Sequence, residues 1–262
     1  STYTGTTLVS SGTLTLASGA SLGSGALVVQ GGASLVLNAN ASTTALMGSG
    51  TVTIGSGATL TLNVPSFNPQ FAGSFSGSGG LVKSGAGEAL LAGDSSGFTG
   101  AITVTGGITS IQNSVSTLGS GDITVTGTAT IGTFFGAAPF NTPGRLNNKL
   151  TVTGGTLTLG RNGTTFMGGD VIASGTGSIV VGGGGTIVIE KDIRNTGTGT
   201  LSVASGTTLQ LGNGGTTGTF NGGLALISPR VVWSSSAPTT SPTRVSSLAP
   251  VPLIKPAPVT LL

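Results

Sequence analysis

Six carboxylates make up the whole acid inventory of this 262-residue chain: Glu88, Asp94, Asp122, Asp170, Glu190 and Asp192. Glycoside hydrolysis needs two carboxylates brought face to face, and a lyase needs a carboxylate beside Arg or Lys. One stretch gathers such groups, Glu190-Lys191-Asp192-Ile193-Arg194. Charges of both signs this close in sequence suit a solvated turn with weak ion pairs better than a reaction centre. The chain has no His, which removes the usual general base and the commonest metal ligand. It has no Cys, which removes thiol nucleophiles, thiolate metal sites and disulfides. Gly168-Gly169-Asp170 stands alone, whereas calcium in a Gly-rich solenoid needs such units in series. The run Gly182 to Gly185 lacks a following Lys-Ser or Lys-Thr, so it does not read as a phosphate loop. The expectation is a protein that is not an enzyme, with no catalytic residue, no cofactor and no metal.

Hydroxyls are the abundant polar groups. Thr-x-Thr recurs at Thr13/Thr15, Thr51/Thr53, Thr59/Thr61, Thr103/Thr105, Thr124/Thr126, Thr151/Thr153 and Thr156/Thr158. Ice-binding solenoids display flat ladders of such pairs, which requires one face and one constant pitch. The first positions here are separated by 38, 8, 44, 21, 27 and 5 residues. That irregularity favours outward-facing Thr on half-buried strands and leaves ice binding as a minor alternative. Asn40-Ala41-Ser42 and Asn162-Gly163-Thr164 match glycosylation acceptors, which usually stay idle in a bacterial product. The isoelectric point near 9.8 reflects a net charge of only +3 with scattered Lys and Arg, so nucleic acid is not an expected partner.

The elements that carry these groups are short strands. Forty-nine Gly and 6% charged residues, with mean hydropathy +0.41, describe neither an average globular domain nor a charge-rich disordered chain. Residues 12–16, 25–29, 33–37, 50–54 and 58–62 alternate aliphatic with Thr or Ser at period two. Strands of about five residues cannot bury a face alone, but successive coils stacked together can. Leu14 and Leu35 are 21 apart, Val104 and Val125 are 21 apart, and Leu157, Ile179 and Leu201 follow at 22. Coils of about 20 to 25 residues predict a β-helix. No apolar run is long enough to span a bilayer as a helix.

Two stretches interrupt the pattern and are expected as side loops. Residues 65–79 hold Pro65, Pro69, Phe67, Phe71 and Phe75; residues 132–149 hold Phe134, Phe135, Phe140, Pro139 and Pro143. Their Phe residues either pack back onto the solenoid or form an aromatic contact surface. From Ser228 onward Gly disappears and seven of the eleven Pro occur. This predicts an extended Pro-rich tail over 228–262, following a solenoid over 1–227.

The stretch Gly80 to Val104 resembles the autotransporter-associated β-strand repeat of bacterial surface-protein passenger regions. Gly80, Leu81, Lys83, Gly85, Gly87, Leu91, Gly93, Phe98, Thr99, Gly100 and Val104 fall on that family's pattern, while Glu88 and Ala89 depart from it. Residues 1–16 are similar to the second half of the same unit. The resemblance implies an all-β fold, a right-handed parallel β-helix, and a secreted or cell-surface setting. A start at Ser1 without Met reads as a mature product after signal removal, or as an excised fragment.

The function these features favour is structural: a subunit of an extracellular filament, stacked end to end through the solenoid ends and the tail, with itself as partner. Expected subunit contacts are Tyr3 and Leu8 at one end and Val231, Val232, Trp233, Leu248, Val251, Leu253, Ile254 and Leu261 at the other. The alternative is a fragment of an adhesin passenger whose Thr-rich surface meets host or cell-surface glycans.

Overall fold

The computed structural model describes residues 3–66, 69–112, 118–133, 144–161, 163–212, 218–221, 224–226, 230–233 and 245–247. Among the described residues every regular element is a strand, and the strands stack as coils of a β-solenoid. The first coils contribute β1 (Thr7–Val9), β2 (Thr13–Leu16), β3 (Leu27–Val29), β4 (Ser34–Leu37), β5 (Ala41–Thr43), β6 (Leu46–Gly48), β7 (Thr51–Ile54) and β8 (Thr59–Asn63). Next come β9 (Gln70–Phe71), β10 (Ser74–Gly77), β11 (Gly80–Ser84), β12 (Glu88–Leu91), β13 (Ile102–Val104), β14 (Gly107–Ile111) and β15 (Ile123–Val125). The later coils carry β16 (Ala129–Thr133), β17 (Gly144–Leu146), β18 (Leu150–Val152), β19 (Thr156–Leu159), β20 (Thr164–Met167), β21 (Val171–Ala173), β22 (Ser178–Val181) and β23 (Gly185–Ile189). The last are β24 (Ile193–Asn195), β25 (Leu201–Val203), β26 (Thr207–Leu211), β27 (Phe220–Asn221), β28 (Leu224–Leu226), β29 (Arg230–Trp233) and β30 (Val245–Ser247).

Each coil visits three faces in turn. The first face is one twelve-stranded parallel sheet from β1 to β30. The third is a nine-stranded parallel sheet from β5 to β27. The second face is split into β2-β4-β7-β10 and β17-β20-β23-β26-β29. Between β10 and β17 this face continues without a named strand, through the bridge Gly77↔Phe98 and the bond from Ser120 N to Phe98 O of 2.9 Å.

The sequence periodicities are the ladder registers. Leu14 pairs with Leu35, Val104 with Val125, and Leu157 with Ile179 and then Leu201. Coil length varies from 17 residues, Ser34↔Thr51, to 28, Ala129↔Leu157. Variation is tolerated because added residues leave at corners while pairing holds each strand in place. Alternate residues point inward, and aliphatics such as Leu35, Val52, Leu60, Val125 and Ile179 are fully buried in one continuous core. Each strand is half apolar, but stacking removes the apolar half from water along the whole axis.

Residues 70–77 are not a side loop. They form β9 and β10, and Phe71 and Phe75 lie in the core, with ring centroids 5.1 Å apart and Phe98 stacked 6.2 Å beyond Phe75. Pro69 is accommodated just before β9. There its missing N–H is no loss, and its carbonyl accepts from Leu90 N at 3.2 Å. Phe67 lies outside the described residues. Of the second expected loop, residues 134–143 also lie outside them, whereas Gly132 and Thr133 belong to β16 and residues 144–146 form β17. Beyond residue 227, β29 pairs with β26 and β30 with β28, so two segments of the stretch expected as tail enter the sheets.

Candidate functional site

The edge made by β1 and β2 is where chemistry and exposure coincide. Among the described residues β1 pairs only with β3, and β2 only with β4. Tyr3 is 43% exposed and Leu8 57%, the large hydrophobics left in water among the described residues. Leu8 points outward in register with Val28 and Met47, both half-buried, so an apolar row runs inward from the edge. No charged residue precedes Lys83. Sheet edges are ordinarily blunted by charge, Pro or a covering element, and the described part of this edge has none. Residues 3–5 lie close over Gly23 and Gly25; a Cβ on Gly25 would overlap the carbonyl oxygens of Thr4 and Gly5. Tyr3 Oη is hydrogen-bonded to Thr7 Oγ1, which ties the ring to β1.

The other expected contacts divide. Val231, Val232 and Trp233 lie on β29, in register with Leu209, Gln210 and Leu211. Leu248, Val251, Leu253, Ile254 and Leu261 lie outside the described residues.

The repeat unit at Gly80 to Val104 supplies a buried cation that was not expected as inward-facing. Leu81, Leu91, Phe98 and Val104 are core residues, and Lys83 points inward beside them at 2% exposure. Its ammonium donates to the carbonyls of Ser84, Gly85 and Gly106 at 2.8, 3.1 and 3.2 Å. These carbonyls line the corner between the third and first faces. Burial pulls the Lys83 amine down from 10.5 to about 8. Gly85 turns that corner with φ of 76°. Gly100 permits close coil contact, since a Cβ there would overlap the carbonyl oxygen of Gly79.

The carboxylates are engaged rather than gathered. Glu190 is 7% exposed and is held by both guanidinium nitrogens of Arg145, Nη1 at 2.7 Å. It is therefore not part of a solvated turn: two coils of β-stacking bring Arg145 over it from 45 residues away. Gly168 keeps the path open, because a Cβ there would press on Asn147 and Arg145. The bidentate hydrogen bond with Glu190 holds the Arg145 guanidinium above its ordinary range. Glu88 pairs with Arg161, which also donates to Ser110 Oγ at 2.7 Å. Asp170 takes Arg194 at 2.8 Å, with Asp192 3.7 Å from the same guanidinium, and Asp122 takes Lys149 at 3.1 Å. Asp94 Oδ1 accepts from Ser96 N at 3.0 Å. Among the described residues no three acidic groups gather as a metal set.

The Thr-x-Thr pairs distribute over all three faces, and three of them stack. Thr103, Thr124 and Thr151 are register partners on the third face. Thr105, Thr126 and Thr153 continue the same ladder one step past the named strands through their backbone N–H groups. The separations of 21 and 27 residues thus correspond to one strand spacing each, which corrects the expectation that unequal separation excludes a constant pitch. The remaining pairs lie elsewhere: Thr13/Thr15 and Thr51/Thr53 on the second face, Thr156/Thr158 on the first, and Thr59/Thr61 shifted by two positions.

No helix among the described residues is long and apolar enough to cross a membrane. No family model, curated protein or solved structure matches the chain.

Proposed function

We propose that this chain is a non-enzymatic structural protein of the extracellular or cell-surface space, assembling with copies of itself end to end into a filament. The observation that carries this reading is the uncharged edge of β1 and β2 with Leu8 and Tyr3 in water. Parallel pairing extends each sheet by one strand without new geometry, and the Leu8–Val28–Met47 row continues onto an added coil. The Pro-rich segment after residue 233, with Leu248, Val251, Leu253, Ile254 and Leu261, is the part of a neighbouring copy proposed to lie along this row. The acids support the non-enzymatic reading, since the ion pairs of Glu88, Asp122, Asp170, Glu190 and Asp192 oppose their use as a catalytic pair.

A second reading has its own observation. The repeat from Gly80 to Val104 resembles autotransporter passengers, and in a passenger the same edge is continued by further coils of a longer chain. The outward hydroxyl rows would then face glycans. Electron microscopy of the purified chain at rising concentration separates the two. Uniform unbranched fibres that disappear in Leu8→Lys support the filament. Single rods at every concentration, or fibres unchanged by Leu8→Lys, refute end-to-end assembly through this edge.

A further inference from the structure

The third face presents two outward rows whose geometry no part of the assembly reading uses. Thr103, Thr124 and Thr151 form one row, half-buried, and Thr105, Thr126 and Thr153 form the second, exposed. The rows extend in register to Val82 and Ser84 on one side and to Ile172 and Ser174 on the other. Every position therefore carries a hydroxyl, a branched methyl, or both. Strand spacing sets about 4.8 Å between neighbours along each row, and two residues of strand set about 6.7 Å between rows.

The second row is held still. Thr105 Oγ1 donates to Lys83 O at 3.3 Å, Thr153 Oγ1 to Val125 O at 3.3 Å, and Ser174 Oγ to Val152 O at 3.4 Å. These three hydroxyls spend their protons on the carbonyl of the coil before them. Thr105, Thr153 and Ser174 thereby present oxygen acceptors at fixed orientation, and Thr126 and the first-row threonines add hydroxyls and methyls on the same regular spacing. Arg194 follows Ile172 in the first row, where Asp170 pairs with it at 2.8 Å, and Asp122 and Lys149, where the coil turns, neutralise each other at 3.1 Å.

We infer that this face binds the surface of ice. Ordering a liquid water against a protein costs up to about 2 kcal/mol. Waters of a crystal have already lost that freedom, so a rigid lattice of acceptors gains its hydrogen bonds without that cost. The methyls favour the same partner by leaving liquid water when the ice front closes over them. Several weak contacts on one rigid plate engage together, so retention is far stronger than any single hydroxyl would give.

The inference is independent of filament assembly and is tested without it. The full chain is equilibrated with slowly growing ice, and its concentration is measured in the ice and in the remaining liquid. Thr124→Lys places an ammonium in the middle of the lattice, and Thr53→Lys places the same charge on the second face. Native protein and Thr53→Lys should enter the ice, while Thr124→Lys should fall at least about tenfold in partition. Circular dichroism of both variants reports that the coil is intact; if Thr124→Lys is not folded, Thr124→Ser, which removes only the methyl, replaces it and should partition less than native. Exclusion of the native protein from the ice overturns the inference, as does equal partition of native protein and the folded third-face variant.

Discussion

The buried ammonium of Lys83 should make this solenoid more stable in mild alkali. The perturbation is pH, and the comparison is Lys83→Met, which fills similar volume without a titrating group. In the folded chain the amine is lowered from 10.5 to about 8, with burial as the cause. Below about pH 8 both folded and unfolded chains hold the proton, so the folded state bears the full cost of a buried charge. Between about 8 and 10.5 the folded chain releases the proton and the unfolded chain keeps it. Stability therefore rises through this window and levels off above it. The whole shift corresponds to at most about 3.5 kcal/mol, at roughly 1.4 kcal/mol per pH unit. Three carbonyls at 2.8 to 3.2 Å favour the ammonium and oppose burial, so the expected gain is about 1–2 kcal/mol. The assay is carbon NMR of the lysine ε-methylenes, with urea unfolding at matched pH. The sequence has only Lys83, Lys149, Lys191 and Lys255, so assignment by the Met variant is direct. One resonance titrating clearly below 10.5 and absent from Lys83→Met is the expected result. Four lysines all titrating above 10, or urea midpoints of native and variant that move in parallel with pH, would refute the buried-cation account.

Two further substitutions probe the same packing. Gly100→Ala drives a methyl into the carbonyl oxygen of Gly79 and against the ring of Phe98, and should cost about 2–4 kcal/mol by urea unfolding. Thr109 points into the core at 3% exposure, and its hydroxyl has no hydrogen-bond partner. Thr109→Val keeps the shape and removes the orphan, so it should raise stability by about 1 kcal/mol, measured as a higher urea midpoint with unchanged slope.

The coil was legible because register and period are local. Leu14 to Leu35 and Leu157 to Ile179 to Leu201 could be counted in the sequence, and each turned out to be a ladder pair. The orientation of Lys83 was also readable: Lys83 lies two residues from Leu81 on its strand as Leu62 does from Leu60, and the two pairs are register partners. Charge was the signal that obscured it. Pro65 and Pro69 marked a corner, but they could not tell a corner from an excursion, because proline reports a missing donor and not the path beyond it. The Arg145–Glu190 clasp was not legible at all. It joins residues 45 apart across two coils, and pairwise spacing carries no signal for it.

Other side-chain clasps join the coils between β10 and β17. Among the described residues the second face between β10 and β17 is continued by the bridge Gly77↔Phe98 and the bond from Ser120 N to Phe98 O. Side chains bridge the same coils from the outside. Gln70 is hydrogen-bonded to Gln112 across the strand bearing Leu90, and Arg161 reaches Glu88 and Ser110 from 73 and 51 residues away. At the corner between the second and third faces, the buried Asn148 donates to Gly119 O at 3.2 Å and Gly121 O at 2.8 Å. Each contact runs along the solenoid axis, so each resists the separation of coils rather than the bending of one. The first coils carry no such charge pairs among the described residues and offer hydroxyls and aliphatics instead. The solenoid is clasped by charge in its middle coils and left uncharged at β1 and β2, so the end-to-end association proposed above falls to the edge where Leu8 meets water.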